Sequence, residues 1–181
     1  SVGKDGFMVL VKLGMSFASA SFFMFANALF TCGIGLARYV ALKMQGKETA
    51  GQLRLYRRVS VILSISGLCY VGYSVRLFFG GSAGQYSEVM ALAIAAYTFV
   101  EFGIQIHDLI KLRKQHDLEA KALRLVSLCG ILVSFVLTQT AIMSFSEPGE
   151  HNFSDGLAGV VFGGLVVIVG VISLLLHRKK E

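Results

Sequence analysis

Charged residues are scarce in this chain and are missing from long stretches of it. Asp, Glu, Lys and Arg make up 15% of its 181 residues, whereas ordinary soluble chains carry about 25%. Hydrophobic residues make up 55%, and the mean hydropathy is +0.68. No charged residue occurs within residues 13–37, 59–75, 125–146 or 156–176. This balance excludes an ordinary soluble domain.

Reactive motifs are missing too. The three cysteines, Cys32, Cys69 and Cys129, all lie in apolar stretches and form no CxxC pair, so a disulfide framework is not expected. No nucleophile motif, phosphate-binding loop or metal-ligand spacing occurs. The sequence therefore predicts no catalytic residue, no cofactor and no metal site. No basic block is interleaved with aromatic residues in the pattern of an RNA-binding protein, which argues against a nucleic-acid partner.

What the chain does contain is a series of apolar segments long enough to cross a bilayer. A helix of about 20 apolar residues spans the hydrocarbon core, and backbone groups in lipid must be bonded within their own segment. Four such segments, and a fifth that carries Glu101 and Asp108, predict an all-α, polytopic transmembrane helical bundle. The predicted spans are residues 9–42, 60–79, 89–110, 123–145 and 156–176, in a single domain comprising 1–181.

The distribution of basic residues predicts the orientation of these spans. Fourteen of the 17 Lys and Arg residues lie at or after the ends of the first, third and fifth spans. Such residues are enriched on the cytoplasmic side, so we expect a cytoplasmic C-terminus, in a cell membrane, and an N-terminus outside. The outside N-terminus, in a chain that begins with Ser, leads us to expect a sixth helix that precedes the five.

The third span carries a polar stripe. Tyr97, Glu101, Gln105 and Asp108 follow one another at intervals of four, four and three residues, so they fall within an arc of about 80° on a helix. A charged carboxyl at mid-membrane costs roughly 2.5–3.5 kcal/mol on insertion scales. We therefore expect Glu101 to face protein or enclosed water. The stripe is either a water-accessible ion or proton path or a hydrogen-bonded packing interface.

Two other spans carry stripes of similar spacing. The first span has Asn27, Thr31, Gly35 and Arg38, and the fourth has Ser127, Gly130, Ser134 and Thr138, with Gln139 beside them. Small and hydroxyl-bearing residues of this kind are typical of helix contacts inside a membrane bundle. If the three stripes converge, they enclose a polar core.

The convergence of these stripes predicts an ion or ligand site. Its candidate residues are Glu101, Tyr97, Gln105, Asn27 and Gln139. Candidate cationic partners for Glu101 are few: Arg38 lies near the inner end of the first span, and Arg76 lies near the outer end of the second.

The fifth span contains a GxxxG motif, formed by Gly159 and Gly163. Such motifs are typical of close helix contacts in membranes. We expect this one to pack within the chain, with a homodimer interface as the alternative.

Three short motifs carry a family resemblance. They are Ala96-Tyr97-Thr98, the basic run Lys111-Leu112-Arg113-Lys114, and Thr138-Gln139-Thr140. With the sequence around them, over most of residues 16–176, they resemble a family of small multipass bacterial membrane proteins, mostly Gram-positive, that has no assigned function. The resemblance implies six helices, including one more at the N-terminus, and implies no activity. This chain departs from the pattern at Glu101, where members often have Lys.

Three classes of function remain open. The first is a small transporter or channel-like protein, in which Glu101 responds to an ion or a proton and the other candidate residues line the same cavity. The second is a structural or accessory subunit that binds another membrane protein or further copies of itself. The third is an intramembrane enzyme that acts on lipid. We favour transport, because three aligned stripes carry more polarity than packing requires. The lipid bilayer is the expected partner in every case.

Overall fold

The five predicted spans all appear as helices. The computed structural model describes residues 22–79, 88–115, 117–146 and 152–178, together with Gly6, Val9 and Leu10. Residues 22–178 of this described part form five α-helices and no strand, which confirms the all-α bundle. The helices are α1 Phe22–Leu42, α2 Thr49–Phe78, α3 Glu88–Leu112, α4 Leu118–Ser146 and α5 Asn152–Arg178.

Four of these helices contain a stretch long and apolar enough to cross a membrane. Among the described residues these stretches are Phe25–Leu42, Thr49–Leu77, Leu118–Met143 and Phe153–Leu176. Helix α3 is not among these four; Glu101, Gln105 and Asp108 lie within its apolar sequence. The chain is therefore an integral membrane protein, and α3 carries polar residues within an otherwise apolar sequence.

Two helices begin earlier than the predicted spans. Helix α2 begins at Thr49 and α4 at Leu118, whereas the apolar sequence begins near residues 60 and 123. The predicted spans mark only what is apolar, and a helix continues beyond lipid wherever the residues are good helix formers. Between α1 and α2 the chain turns at Gly46, whose φ of +73° lies in the left-handed region that favours glycine.

The expectation of one long first span is wrong. Leu10 and Cys32 line the same cavity, together with Gly6 and Leu36. In a single straight helix Leu10 and Cys32 would lie about 33 Å apart, at 1.5 Å per residue. Residues 9–10 are helical, but they lie alongside α1 and do not extend it. Residues 11–21 of this predicted span lie outside the described residues, and hydropathy alone does not distinguish one long helix from two shorter apolar segments.

Helix α4 is the centre of the bundle. It packs against each of the other four helices, whereas α3 makes close backbone contact with α4 and with no other described helix. Helix α2 packs against α1 and α5 as well as α4. One side of the bundle holds the C-terminal ends of α1, α3 and α5 and the N-terminal ends of α2 and α4. The hydrogen bond of 2.7 Å from Ser173 Oγ to Tyr56 Oη shows this for α5 and α2. We call this side of the bundle the basic end, because it carries most of the Lys and Arg residues.

Glycines bring α2 and α5 into close contact. Gly159 of α5 faces Ser74 and Tyr70 of α2, and Gly163 faces Tyr70 and Val71. The GxxxG motif thus packs within the chain, as expected. Small residues at a membrane helix interface allow the backbones to approach, and dispersion contacts then hold the helices together.

Gly163→Ala is expected to lower the free energy of unfolding by about 1–3 kcal/mol. The added methyl would lie 2.9 Å from Val71 Cγ2 and 3.0 Å from Tyr70 Cδ1, so these side chains or the helices that carry them must shift. Gly164→Ala is the matched control, because it changes helix propensity equally and meets nothing within 4 Å. Unfolding by sodium dodecyl sulfate in mixed micelles, followed by circular dichroism, measures both variants. Equal stabilities would contradict this packing.

Candidate functional site

An arginine is buried near the basic end of α1. Arg38 is 3% exposed, although Ile34, Ala37 and Ala41 beside it belong to the apolar core. A guanidinium is always charged, and its removal from water must be offset by ion pairs or hydrogen bonds. The groups that surround Arg38 therefore form the most strongly constrained polar cluster in the described part of the bundle.

Three side chains from two other helices meet this arginine. Arg38 Nη2 donates to Gln105 Oε1 of α3 at 3.0 Å and lies 3.5 Å from Ser127 Oγ of α4. Arg38 Nη1 lies 3.5 Å from Asp108 Oδ2 of α3. The described backbones of α1 and α3 are not in close contact, so the Arg38 side chain links the two helices across the face of α4. We call these four residues, Arg38, Gln105, Asp108 and Ser127, the arginine cluster.

Gly130 of α4 makes room for Gln105 in this cluster. A Cβ at Gly130 would lie 2.7 Å from Gln105 Nε2 and 2.9 Å from Gln105 Cδ. Gln105 is only 1% exposed, so its amide is held between α4 and the guanidinium. The stripe of small residues on α4 and the polar stripe on α3 thus face each other.

Glu101 lies one helical turn beyond Gln105, away from the basic end. Its side chain is 4% exposed, which confirms that it does not face lipid. Phe99 and Val100, its neighbours in sequence, are 69% and 63% exposed and form the lipid-facing side of α3. Tyr97, one turn further along, is half-buried, and its hydroxyl oxygen is enclosed. Three of the five predicted site residues therefore lie in line on the inner face of α3.

The polar line continues past Glu101 through two threonines. Thr138 of α4 donates to Thr98 Oγ1 of α3 at 3.1 Å, and Thr98 donates to the carbonyl oxygen of Ile94 at 2.9 Å. From Asp108 to Thr98 the rise along α3 is about 15 Å. The polar line therefore reaches from the basic end across roughly half of a hydrocarbon core that is about 30 Å thick.

The other two predicted site residues make their observed bonds elsewhere. Asn27 is buried between α1 and α2, where its Nδ2 lies 3.5 Å from Tyr70 Oη. Gln139 is half-buried, and its Nε2 lies 3.9 Å from Met143 Sδ on its own helix. By helical rise Gln139 lies about 14 Å further along α4 than Gly130. The structure thus does not bring Asn27 or Gln139 to the arginine cluster.

A cavity opens onto the arginine cluster at the basic end. Its volume is about 280 Å³, and it is lined by α1, α3 and α4. The lining residues are Arg38, Leu42, Asp108, Lys111, Leu112, Leu123 and Ser127. Two cations face one carboxylate, so the net charge of the wall is positive. The guanidinium lies at the boundary between this cavity and the buried polar line.

The five predicted site residues did not include Arg38, Asp108 and Ser127. The sequence contained evidence for all three residues, since each belongs to a polar stripe on its span. Arg38 was expected in the polar stripe of the first span and as a candidate partner for Glu101, near the inner end of that span. Its burial depends on how α1 and α3 both pack on α4, which spacing along one helix does not specify.

Neither a metal-binding cluster nor a disulfide is found among the described residues. Among them, no group of three or more His, Cys, Asp or Glu side chains lies close enough to hold a metal ion. Cys32 and Cys69 are exposed on the outer faces of α1 and α2, and Cys129 is buried in α4.

The chain matches no protein-family model, and no curated protein matches it. The resemblance to small bacterial membrane proteins therefore stays a prediction.

Proposed function

We propose that this protein is a small transport-type membrane protein whose buried polar line responds to protons. The observation that supports this most strongly is the continuity of the line. A cavity at the basic end reaches Arg38, Arg38 donates to the buried Gln105, and Glu101 follows one turn deeper, away from lipid. Ionisable residues at such depth are typical of ion and proton pathways.

The charge at the mouth of the cavity favours a proton over a metal cation. Arg38 and Lys111 both line it, and a fixed positive wall lowers the local concentration of cations. A proton passes between side chains and bound water without carrying a hydrated ion past the guanidinium. Residues 125–146 of α4 contribute hydroxyl groups and no charge, so Arg38 and Asp108 are the charged side chains nearest to Glu101 along this line.

In this proposal each residue has a separate role. The Glu101 carboxyl accepts and releases the proton, Gln105 holds Arg38 in place through its hydrogen bond, and Tyr97 provides a hydroxyl one turn beyond Glu101. The basic end faces the cytoplasm, because Lys and Arg accumulate on that side of membrane proteins. The proton path would then open first to the cytoplasm.

Glu101→Gln is expected to abolish pH-dependent flux while leaving the fold intact. The amide has nearly the shape of the carboxyl but does not titrate. Proton entry into proteoliposomes, measured with an enclosed pH-sensitive dye under an imposed gradient, compares the wild type with the variant. Glu48→Gln is the matched control, because it makes the same change at an exposed carboxyl outside the polar line.

The accessory-subunit hypothesis makes the opposite prediction for this experiment. A subunit that only binds another membrane protein, or copies of itself, needs no titratable group in its core. If the wild type and Glu101→Gln give the same flux as empty liposomes, transport should be dropped in favour of the accessory role.

A further inference from the structure

The cavity at the basic end has the shape and charge of a binding site for an anionic lipid headgroup. It lies between α1 and α3, whose described backbones do not touch, with α4 as its floor. Its volume of about 280 Å³ is close to the lower limit of about 300 Å³ for ligand sites.

The lining of the cavity has a polar part, in which two cations outnumber the Asp108 carboxylate, and an apolar part. Arg38 and Lys111 supply positive charge and Ser127 supplies a hydroxyl, whereas Leu42, Leu112 and Leu123 supply apolar surface. Arginine matches the geometry of phosphate oxygens, and lysine adds a point charge. The leucines provide contact for the glycerol and the first acyl carbons of a lipid, which a soluble anion would not need.

We propose that this cavity binds the phosphate group of an anionic phospholipid, with the lipid's apolar part against the three leucines. Basic pockets between transmembrane helices on the cytoplasmic side are a known setting for such headgroups. The site does not depend on proton transport through the core. It would place a lipid phosphate beside the guanidinium that links α1 to α3, so binding would also tighten the contact between these helices.

The charge of each lining residue predicts whether its removal weakens or strengthens lipid binding. Lys111→Gln removes one cation from the wall and is expected to weaken lipid binding about fivefold, from about 1 kcal/mol per basic residue near the membrane surface. Asp108→Asn removes the carboxylate from the wall and is expected to strengthen binding. Lys121→Gln is the matched control, since Lys121 is also an exposed lysine at the basic end but does not line the cavity.

Native mass spectrometry of the full chain tests this proposal. The protein is titrated in detergent with dioleoyl phosphatidylglycerol, with phosphatidylcholine of the same chains, and with inorganic phosphate. We expect one phosphatidylglycerol to be retained in preference to phosphatidylcholine, with weaker retention in Lys111→Gln and unchanged retention in Lys121→Gln. Arg38→Met should abolish the preference. Lys111→Gln keeps the test decisive if Arg38→Met does not fold.

Three outcomes would overturn the proposal. Equal losses of lipid retention in Lys111→Gln and Lys121→Gln would indicate nonspecific electrostatic attraction of lipid to the basic end and no defined binding site. Displacement of the lipid by millimolar inorganic phosphate would assign the cavity to a soluble anion. Equal retention of both lipids would remove the role of charge. The same titration on Glu101→Gln separates this proposal from the proposed function, since lipid binding should survive there even though flux does not.

Discussion

Arg38→Met is expected to lower the free energy of unfolding by about 3 kcal/mol. The change deletes the hydrogen bond to Gln105 and the ion pair with Asp108. Gln105 is 1% exposed, so its amide oxygen loses a donor at a buried position. The deletion also removes the side chain that joins α1 to α3. The methionine side chain occupies much of the space that Arg38 fills. The loss of stability therefore reflects the lost polar contacts more than the creation of a cavity.

Two further variants make this prediction specific. Arg54→Met removes an exposed arginine of α2 at the same end and should change stability by about 0.5 kcal/mol or less. The double variant Arg38→Met with Asp108→Leu removes both charges and should recover part of the loss, because no charge is then left without its partner. Denaturant titration in bicelles measures all three. A loss in Arg38→Met no larger than in Arg54→Met would contradict the structural role of the cluster.

The sequence predicted the helices well because a bilayer restricts what a chain can do. Charge-free stretches of the right length leave few alternatives to helices. Each of the five predicted spans contains a helix, and four of these helices are long and apolar enough to cross a membrane. The polar face of α3 was also predictable. Glu101 and Gln105 are four residues apart and lie on the same face, and the cost of exposing a carboxyl to lipid placed that face inward.

The partners of each stripe were not predictable from one sequence. Asn27 has the same spacing relative to Arg38 as residues on α3 have to one another, yet it contacts Tyr70 of α2. Gln139 follows Thr138 directly, but a step of one residue turns a side chain by about 100° around the helix, and its amide contacts Met143 instead. Periodicity gives the direction of a side chain on its own helix and does not give the neighbour that it meets.

The lipid-facing and inward-facing sides of α3 are expected to differ in their access to water. Phe99 and Val100 are mostly exposed on the outside of the bundle, where the surroundings are acyl chains. Glu101 and Gln105 face inward along the line that begins at the cavity. If that line is hydrated, a water-soluble thiol reagent reaches cysteines on the inner face and does not reach cysteines on the outer face. An anionic reagent is favoured by the positive wall of the cavity.

The central claim is that Glu101 is reached by water from the basic end. Single cysteines are placed at residues 100, 101 and 105 in a chain whose three native cysteines are replaced by alanine, and a membrane-impermeant sulfonated thiosulfonate reagent is applied to either side of the membrane. We predict labelling of Gln105→Cys and Glu101→Cys from the side of the basic end, faster at 105, and no labelling of Val100→Cys. Ile110→Cys, at an exposed position near the basic end, is the positive control. Labelling of Ile110→Cys with both inner positions unreactive from either side would show a dry core and contradict the account.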